Sequence, residues 1–178
     1  MRTNVGNFCN KDCRHNYAIS HGVGKALAYV RKKKNQELRQ RRKEVRPMSE
    51  WHDHLQSVVN QWVVHVRDKN KPCCTCGTEN PNIVYAAGHY RSRGSCPELR
   101  FELTNIHKQC NVQCNQIKSG ARCEYRAFIA YNYGSDHLNW LDGPHKPLKE
   151  QFENWQEVEQ EIKHYRKLLR EAGIKPCR

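Results

Sequence analysis

The segment Asn105–Gly120, NIHKQCNVQCNQIKSG, places two cysteines beside a histidine, three asparagines and two lysines. Upstream, the segment KPCCTCG carries Cys73 and Cys76 in a C-x-x-C knuckle. Two cysteine pairs separated by roughly 30 residues are typical of a tetrahedral zinc site. The sequence therefore predicts that Cys73, Cys76, Cys110 and Cys114 bind one zinc ion, which folds a segment too polar to fold by its own core.

The second cysteine pair is one residue longer than the usual knuckle. A helix is predicted through KQCNVQCNQIKS, Lys108–Ser119, and residues four apart share one face of a helix. Both thiolates can therefore reach one ion. Four thiolates leave no open position for water, so the predicted zinc is structural. Free buried cysteines are the alternative.

The charge of the chain points to a polyanionic partner. Lys and Arg outnumber Asp and Glu by 31 to 18, which gives a formal net charge of +13 over 178 residues. Such an excess favours nucleic acid through counterion release. No apolar run approaches the ~20 residues that span a bilayer, and the first residues have no apolar signal-peptide region. We therefore expect an intracellular protein without a membrane partner, in which the ten cysteines serve metal binding more than disulfides.

The chain is predicted to contain four parts. Residues 1–22 form a partial Cys/His finger, residues 23–47 a basic helical arm, residues 48–134 a zinc-bound core with a leading helix, and residues 135–178 a linker with an amphipathic helix. The finger candidates are Cys9, Cys13, His15 and His21. The arm residues predicted to contact phosphate are Lys32, Lys33, Lys34, Arg41 and Arg42, a solvated face being the alternative.

Two segments have the apolar spacing of amphipathic helices. In residues 49–70, apolar residues recur at steps of three and four, and Ser49 is a good N-cap. The second helix begins at Asn154, where Glu157 occupies the capping-box position. The apolar face of each helix is predicted to pack in the core. For the second helix, the alternative is a contact between two copies of the chain.

Short strands are predicted at IVYAAGHY, residues 83–90, and at LRFEL, residues 99–103. His89 then lies at the end of the first strand, Asn105 follows the second, and Asn115 follows Cys114. The predicted fold class is α+β and mainly helical, with a small zinc-bound core flanked by long basic and amphipathic helices.

The order knuckle, strand, His, loop, strand, Asn, knuckle resembles the HNH endonuclease superfamily, which has a ββα-metal, treble-clef-type fold. The motifs KPCCTCG, AAGHYRSRGSCPELRFELTNIHKQC and CNQIKSG together are similar to the NinG/Rap recombination proteins of lambdoid phages. That resemblance implies a structure-specific endonuclease for Holliday junctions and D-loops. It also implies a homodimer that works in the bacterial host cytoplasm, with phage or host recombination proteins as possible partners.

The resemblance also assigns roles to residues. His89 would be the general base, Asn105 would lock the loop and orient the imidazole, and Asn115 would bind a catalytic Mg²⁺ or Mn²⁺ ion. His107 is a further candidate ligand of that cation. The DNA path would be lined by Arg91, Arg93, Lys108, Lys118 and Arg122.

Two other functions fit the same residues. A non-catalytic zinc-finger DNA-binding protein needs the cysteines and the charge but no cation, and Ala86 and Gly88 stand where acidic ligands are expected. A zinc-ribbon module that binds a replication or recombination protein would show weak DNA affinity despite its charge.

Overall fold

The computed structural model describes residues 9–177, and its contacts divide the chain into two units, Met1–Arg46 and Pro47–Arg178. The described chain is mainly helical and has one two-stranded antiparallel sheet, which confirms the predicted balance of helix and strand. Within residues 9–177, no helix combines the length and the apolar character needed to cross a membrane.

The first unit is a single long helix, α1, from Lys11 to Glu44. Asn10 caps it, since its side-chain oxygen accepts from the amide nitrogen of Cys13 at 2.8 Å. None of its residues is buried, as expected for a helix with few apolar side chains. The helix runs without interruption through residue 22, so the predicted finger and the predicted arm share one element.

One hydrophobic core of the second unit lies between two helices, and a second is built by the helix Arg122–Asp142 with the loop after His89. Helix α2 spans Met48–Trp62 and continues as a π-helical turn, Val63–Arg67; helix α4 spans Trp155–Glu171. The apolar faces of the two helices pack against each other, and the rings of Trp51 and Trp155 stack with their centroids 5.3 Å apart. The stripe of α4 is therefore an intramolecular core face, as predicted, and not a seam between copies. The buried residues are Trp51, Leu55, Val58, Val59, Val63, Val158 and Ile162.

The ends of these helices test the predicted caps. Helix α2 begins one residue before Ser49, with Pro47 at the N-cap position and no side-chain cap, so the Ser49 cap is wrong. Asn154 does cap α4, because its Oδ1 accepts from the amides of Gln156 and Glu157. The carboxylate of Glu157 reaches back to the amide of Glu153 at 2.9 Å.

The sheet pairs strand β1, Tyr85–His89, with strand β2, Ile106–Cys110. The second strand was predicted at residues 99–103, and that prediction is wrong. Those residues belong to a loop with two 3₁₀ turns, Pro97–Leu99 and Leu103–Asn105, and Asn105 precedes β2.

A second π-helical turn, Asn111–Ile117, follows β2 directly, and helix α3 runs from Arg122 to Asp142. The helix predicted from Lys108 therefore starts three residues late, because Lys108 and Cys110 belong to the strand. In α3 the backbone leaves helical geometry at Gly134, whose φ of 85° favours glycine, and helix resumes after it. Gly134 is thus a kink within α3.

Candidate metal centre and active-site groove

The four predicted zinc ligands meet at one point. The sulfur atoms of Cys73, Cys76, Cys110 and Cys114 all lie within 4.8 Å of one another. The sulfur of Cys110 is 3.8 Å from that of Cys73 and 3.7 Å from that of Cys76. Zn–S bonds of about 2.3 Å in a tetrahedron place sulfurs roughly 3.8 Å apart, so this cluster has the size of a four-thiolate zinc site.

Local backbone geometry aims these thiols at one another. Gly77 adopts a φ of 70° and donates its amide to the carbonyl of Cys73 at 2.9 Å, which closes the first knuckle. The amide of Cys110 donates to the sulfur of Cys73 at 3.3 Å. Cys110 ends β2 and Cys114 lies in the second π-helical turn, whose wide coil accommodates the extra residue of the C-x-x-x-C pair.

The acidity of the thiols fits a site that needs a cation. Burial opposes ionisation of Cys73, but hydrogen bonds from the backbone of Cys76 and from Thr75 outweigh it and lower its pKa to about 6. Burial and hydrogen bonds from neighbouring thiols raise the pKa of Cys110. One thiolate among crowded thiols attracts a metal ion, which would deprotonate the others.

The predicted N-terminal finger does not come together in this way. The sulfurs of Cys9 and Cys13 are 2.6 Å apart, but His21 stacks on Tyr17 with ring centroids at 4.8 Å. Among residues 9–177, the four-cysteine cluster is the only group of three or more His, Cys, Asp or Glu with metal-ligand proximity. Residues 1–8 of the predicted finger lie outside the described residues.

A groove of about 540 Å³ lies beside the sheet. It is lined by His89 at the end of β1, by Asn115 of the second π-helical turn and by Arg93 of the loop after β1. His65, two serines and the amide side chains of α2 add to its polar lining. The structure therefore brings two of the three predicted catalytic residues to one surface.

His89 is held neutral in this groove. Burial lowers its pKa to about 4; the carbonyl of Arg100 opposes this shift, and the positive charges of Arg93 and Arg100 add to it. Its Nε2 lies 3.3 Å from the Arg100 carbonyl oxygen and 3.4 Å from the amide nitrogen of Gln56. An imidazole in water has a pKa near neutrality, and the lower value here follows from burial, which disfavours the imidazolium ion.

Asn105 is fully buried and ties the two ends of the loop that follows His89. Its Oδ1 accepts from the amide of Arg91 at 2.7 Å, and its Nδ2 donates to the carbonyls of Arg91 and Leu99 at 3.1 and 3.0 Å. Three hydrogen bonds from one side chain fix a loop that has little regular structure. These bonds agree with the predicted loop-locking side chain, but Asn105 lies in the 3₁₀ turn before β2 and does not line the groove.

His107 faces away from the groove. From β2 it pairs with Gly88 of β1, the residue next to His89, so the side chains of His107 and His89 lie on opposite faces of the sheet. Its two ring nitrogens contact the hydroxyls of Tyr125 at 3.0 Å and Tyr133 at 2.8 Å. His107 is therefore not a ligand for a cation in the groove, and its candidacy is corrected.

The buried state of His107 predicts a pH dependence of stability. Burial, followed by the charge of Arg67, lowers its pKa to about 3. The fold favours the neutral imidazole of His107. The contribution of this residue to the free energy of unfolding is therefore complete above pH ~6.5 and is lost as the pH falls toward 3. We compare the drop in the free energy of unfolding from pH 7 to pH 5, measured with urea on zinc-loaded protein. This drop is expected to be smaller in His107→Gln than in the wild type by on the order of 2 kcal/mol. Equal losses in the two proteins would contradict the buried neutral imidazole; comparing them cancels acid effects on the cysteines.

Two of the residues predicted to line the DNA path are engaged inside the protein. The ammonium of Lys108 donates to the carbonyls of Lys69 and Lys71 at 3.0 and 2.8 Å and lies over the ring of Tyr85. Arg91 donates to the carbonyl of Asp142 at 3.1 Å. Lys108 is buried and is therefore removed from the DNA path. The predicted basic residues that are exposed are Arg93, Lys118, Arg122, Lys32, Lys33, Lys34, Arg41 and Arg42.

Sequence reasoning missed the buried acid beneath the sheet. Asp68 is 1% exposed and accepts hydrogen bonds from the side chains of Arg67 and Lys71 and from the amide of Lys108. It links the first π-helical turn to β2. The Arg-Asp pair ahead of the first knuckle was the available signal, but nothing in the sequence distinguishes it from a solvated pair.

Fold and site together define a mainly helical protein with a small sheet and, beside it, a four-cysteine cluster able to hold a metal such as zinc. A model of the family described as NinG, Bacteriophage Lambda NinG protein, matches residues 2–172. The chain therefore belongs to the NinG family of lambdoid phages, as the sequence motifs had indicated.

Named relatives agree with this family. The chain is 35% identical to Protein ninG of Salmonella phage P22 and 34% identical to Protein ninG of Escherichia phage lambda, each over 135 residues. These alignments cover 76% of this chain and 65% of each relative, so the chain spans slightly less than two thirds of their length. Protein ninG of Escherichia phage 933W is 38% identical over 108 residues, 61% of this chain and 52% of that protein. No solved structure matches the chain.

Proposed function

We propose that the chain is a structure-specific DNA endonuclease of the HNH type that cuts branched recombination intermediates, such as Holliday junctions and D-loops, in phage recombination in the host cytoplasm. The observation that carries this proposal is that His89 and Asn115 line one groove next to the four-cysteine cluster. The membership in the NinG family and the net charge of +13 support a DNA substrate.

In the proposed reaction His89 is the general base. When one ring nitrogen donates its proton to the carbonyl of Arg100, the other carries the lone pair that takes a proton from the attacking water. The negative charge of a bound DNA strand would raise the pKa of His89 from about 4 toward neutrality, where a base works best. Arg93 on the groove lining is placed to bind phosphate.

Asn115 would be a ligand of the catalytic cation. Its amide nitrogen lies 3.4 Å from Oδ1 of Asn111, which leaves the amide oxygen for a cation. A divalent cation held there would polarise the scissile phosphate and stabilise the leaving oxygen. The four-cysteine zinc, in contrast, would be structural. Two copies of the chain, as a homodimer, would supply the two incisions that resolution of a four-way junction requires.

The direct test is cleavage of a synthetic four-way junction. The zinc-loaded protein is incubated with the junction, or with a linear duplex of the same sequence, in EDTA or with added divalent cations. Paired, cation-dependent nicks in the junction and an intact duplex are expected. An intact junction with every cation would contradict the endonuclease.

One observation favours a second function, binding of branched DNA without cleavage. None of the residues that line the groove is Asp or Glu, whereas Mg²⁺-dependent nucleases hold their cations with carboxylates. Tight binding of the junction without nicks in any cation would support this function, and weak binding would favour a module for a recombination protein.

A further inference from the structure

The groove presents an unusual set of donors for a nuclease. The lining side chains able to ligate a cation are imidazoles, amides and two serine hydroxyls, with no carboxylate among them: His65, His89, Asn60, Gln61, Asn115, Ser92 and Ser119. Magnesium prefers carboxylate and water oxygens, whereas imidazole suits the later first-row cations Co²⁺, Ni²⁺ and Zn²⁺. By its donor chemistry, the groove fits a transition-metal ion better than Mg²⁺.

His65 is fixed in position by its backbone. It belongs to the π-helical turn Val63–Arg67, which packs against both strands of the sheet. Its neighbours Val63 and Val64 are buried, while the imidazole of His65 is exposed at the groove. A π-helical turn rotates the residues after it relative to an α-helix and is frequent at functional sites. A turn that packs on both strands thus carries an exposed imidazole at the groove.

The other two histidines near the sheet, His89 and His107, are not available as cation ligands. His107 lies on the opposite face, with both ring nitrogens at tyrosine hydroxyls. In the proposed reaction the one available lone pair of neutral His89 accepts the proton of the water, so the same nitrogen cannot coordinate a cation. His65 is therefore the imidazole of the groove lining that is free to be a ligand.

We infer that the groove binds one later first-row cation, with His65 and Asn115 as protein ligands facing the base His89, and that it selects such a cation over Mg²⁺. The chemical purpose of this site rests on the proposed nuclease function. Its existence does not, because cation binding is measurable without any DNA.

The test is a calorimetric titration of the zinc-loaded full chain with Ni²⁺ at pH 7. One Ni²⁺ is expected to bind per chain beyond the zinc, and His65→Ala is expected to weaken that binding by about tenfold or more. His164→Ala is the matched control, since His164 is exposed on α4 and does not line the groove. Paramagnetic broadening of the His65 ring signals by Ni²⁺ provides a second readout by NMR spectroscopy.

Wild-type affinity in His65→Ala, an equal loss in His164→Ala, or displacement of Ni²⁺ by an equimolar amount of Mg²⁺ would each overturn the inference. The nuclease proposal fails separately. If Ni²⁺ binds through His65 but the junction stays intact with Ni²⁺, Co²⁺, Mn²⁺ and Mg²⁺, the cation site stands and the proposed cleavage does not.

Discussion

Replacing His89 with alanine is expected to slow cleavage of a four-way junction by about 10²–10⁴-fold while junction binding is retained. In the proposed reaction this imidazole removes the proton of the attacking water, and the groove lining offers no carboxylate to replace it. In the proposed complex, affinity for the junction would depend chiefly on exposed basic residues, so it should change little. Single-turnover cleavage and electrophoretic binding assays on the same preparation measure the two effects separately.

Two controls separate loss of the base from loss of the fold. His164→Ala removes an exposed histidine on α4 and should cleave like the wild type. Added imidazole should partly restore cleavage by His89→Ala, because a free base can enter the space that the side chain leaves. Undiminished cleavage by His89→Ala, with its zinc content intact, would remove His89 from the mechanism.

The position of His89 depends on a loop that it does not belong to. Its Nε2 meets the carbonyl of Arg100, at the far end of the loop that Asn105 ties together through Arg91 and Leu99. Asn105 is thus connected to the imidazole through the backbone and not by direct contact. In the proposed enzyme, Asn105 would orient the imidazole in this way, because its buried amide holds the carbonyl of Leu99, the residue before the Arg100 carbonyl that faces His89.

The parts of the fold that follow a repeating pattern were predictable. Helices α2 and α4 repeat apolar residues with helical period, and burial of those stripes against each other decides their structure. The cysteine cluster was predictable because two pairs of thiols at this spacing serve few purposes besides a metal. Both predictions rest on the spacing of residues along the chain and need no knowledge of which distant residues come into contact.

Strand β2 could not be read in the same way. Its sequence, IHKQC, is mostly polar, yet all five residues are buried. Their polar groups are satisfied by distant partners, such as the carbonyls of Lys69 and Lys71 for Lys108 and two tyrosine hydroxyls for His107. Such partners are set by the tertiary fold and cannot be read from the local sequence. The apolar pattern of LRFEL was therefore taken for the strand, Lys108 for a DNA-contacting residue and His107 for a cation ligand.

Replacing Cys76 with serine is expected to abolish zinc binding and to remove the hydrogen-exchange protection of residues 72–120. Around the cluster the buried residues are the cysteines themselves and Ala121, with Ile83 and Tyr85 packed against them. Without the ion the residues around the cluster have almost no apolar core of their own, since Tyr90 and Leu99 of the same segment pack in a separate core with α3. Structural zinc contributes an apparent ~10–16 kcal/mol in zinc-finger peptides, comparable to the whole stability of a typical domain.

Helices α2 and α4 should stay protected from exchange in Cys76→Ser, since their shared core is built mostly from their own side chains. Cys123→Ser is the matched control, because Cys123 is exposed and lies outside the cluster. One bound zinc per chain in Cys76→Ser would contradict the four-cysteine site. The same dependence complicates chelation experiments: the ligands Cys73 and Cys110 abut the sheet that carries His89, so EDTA can stop cleavage by melting the sheet. Only add-back of a catalytic cation to protein that still holds its zinc tests the groove itself.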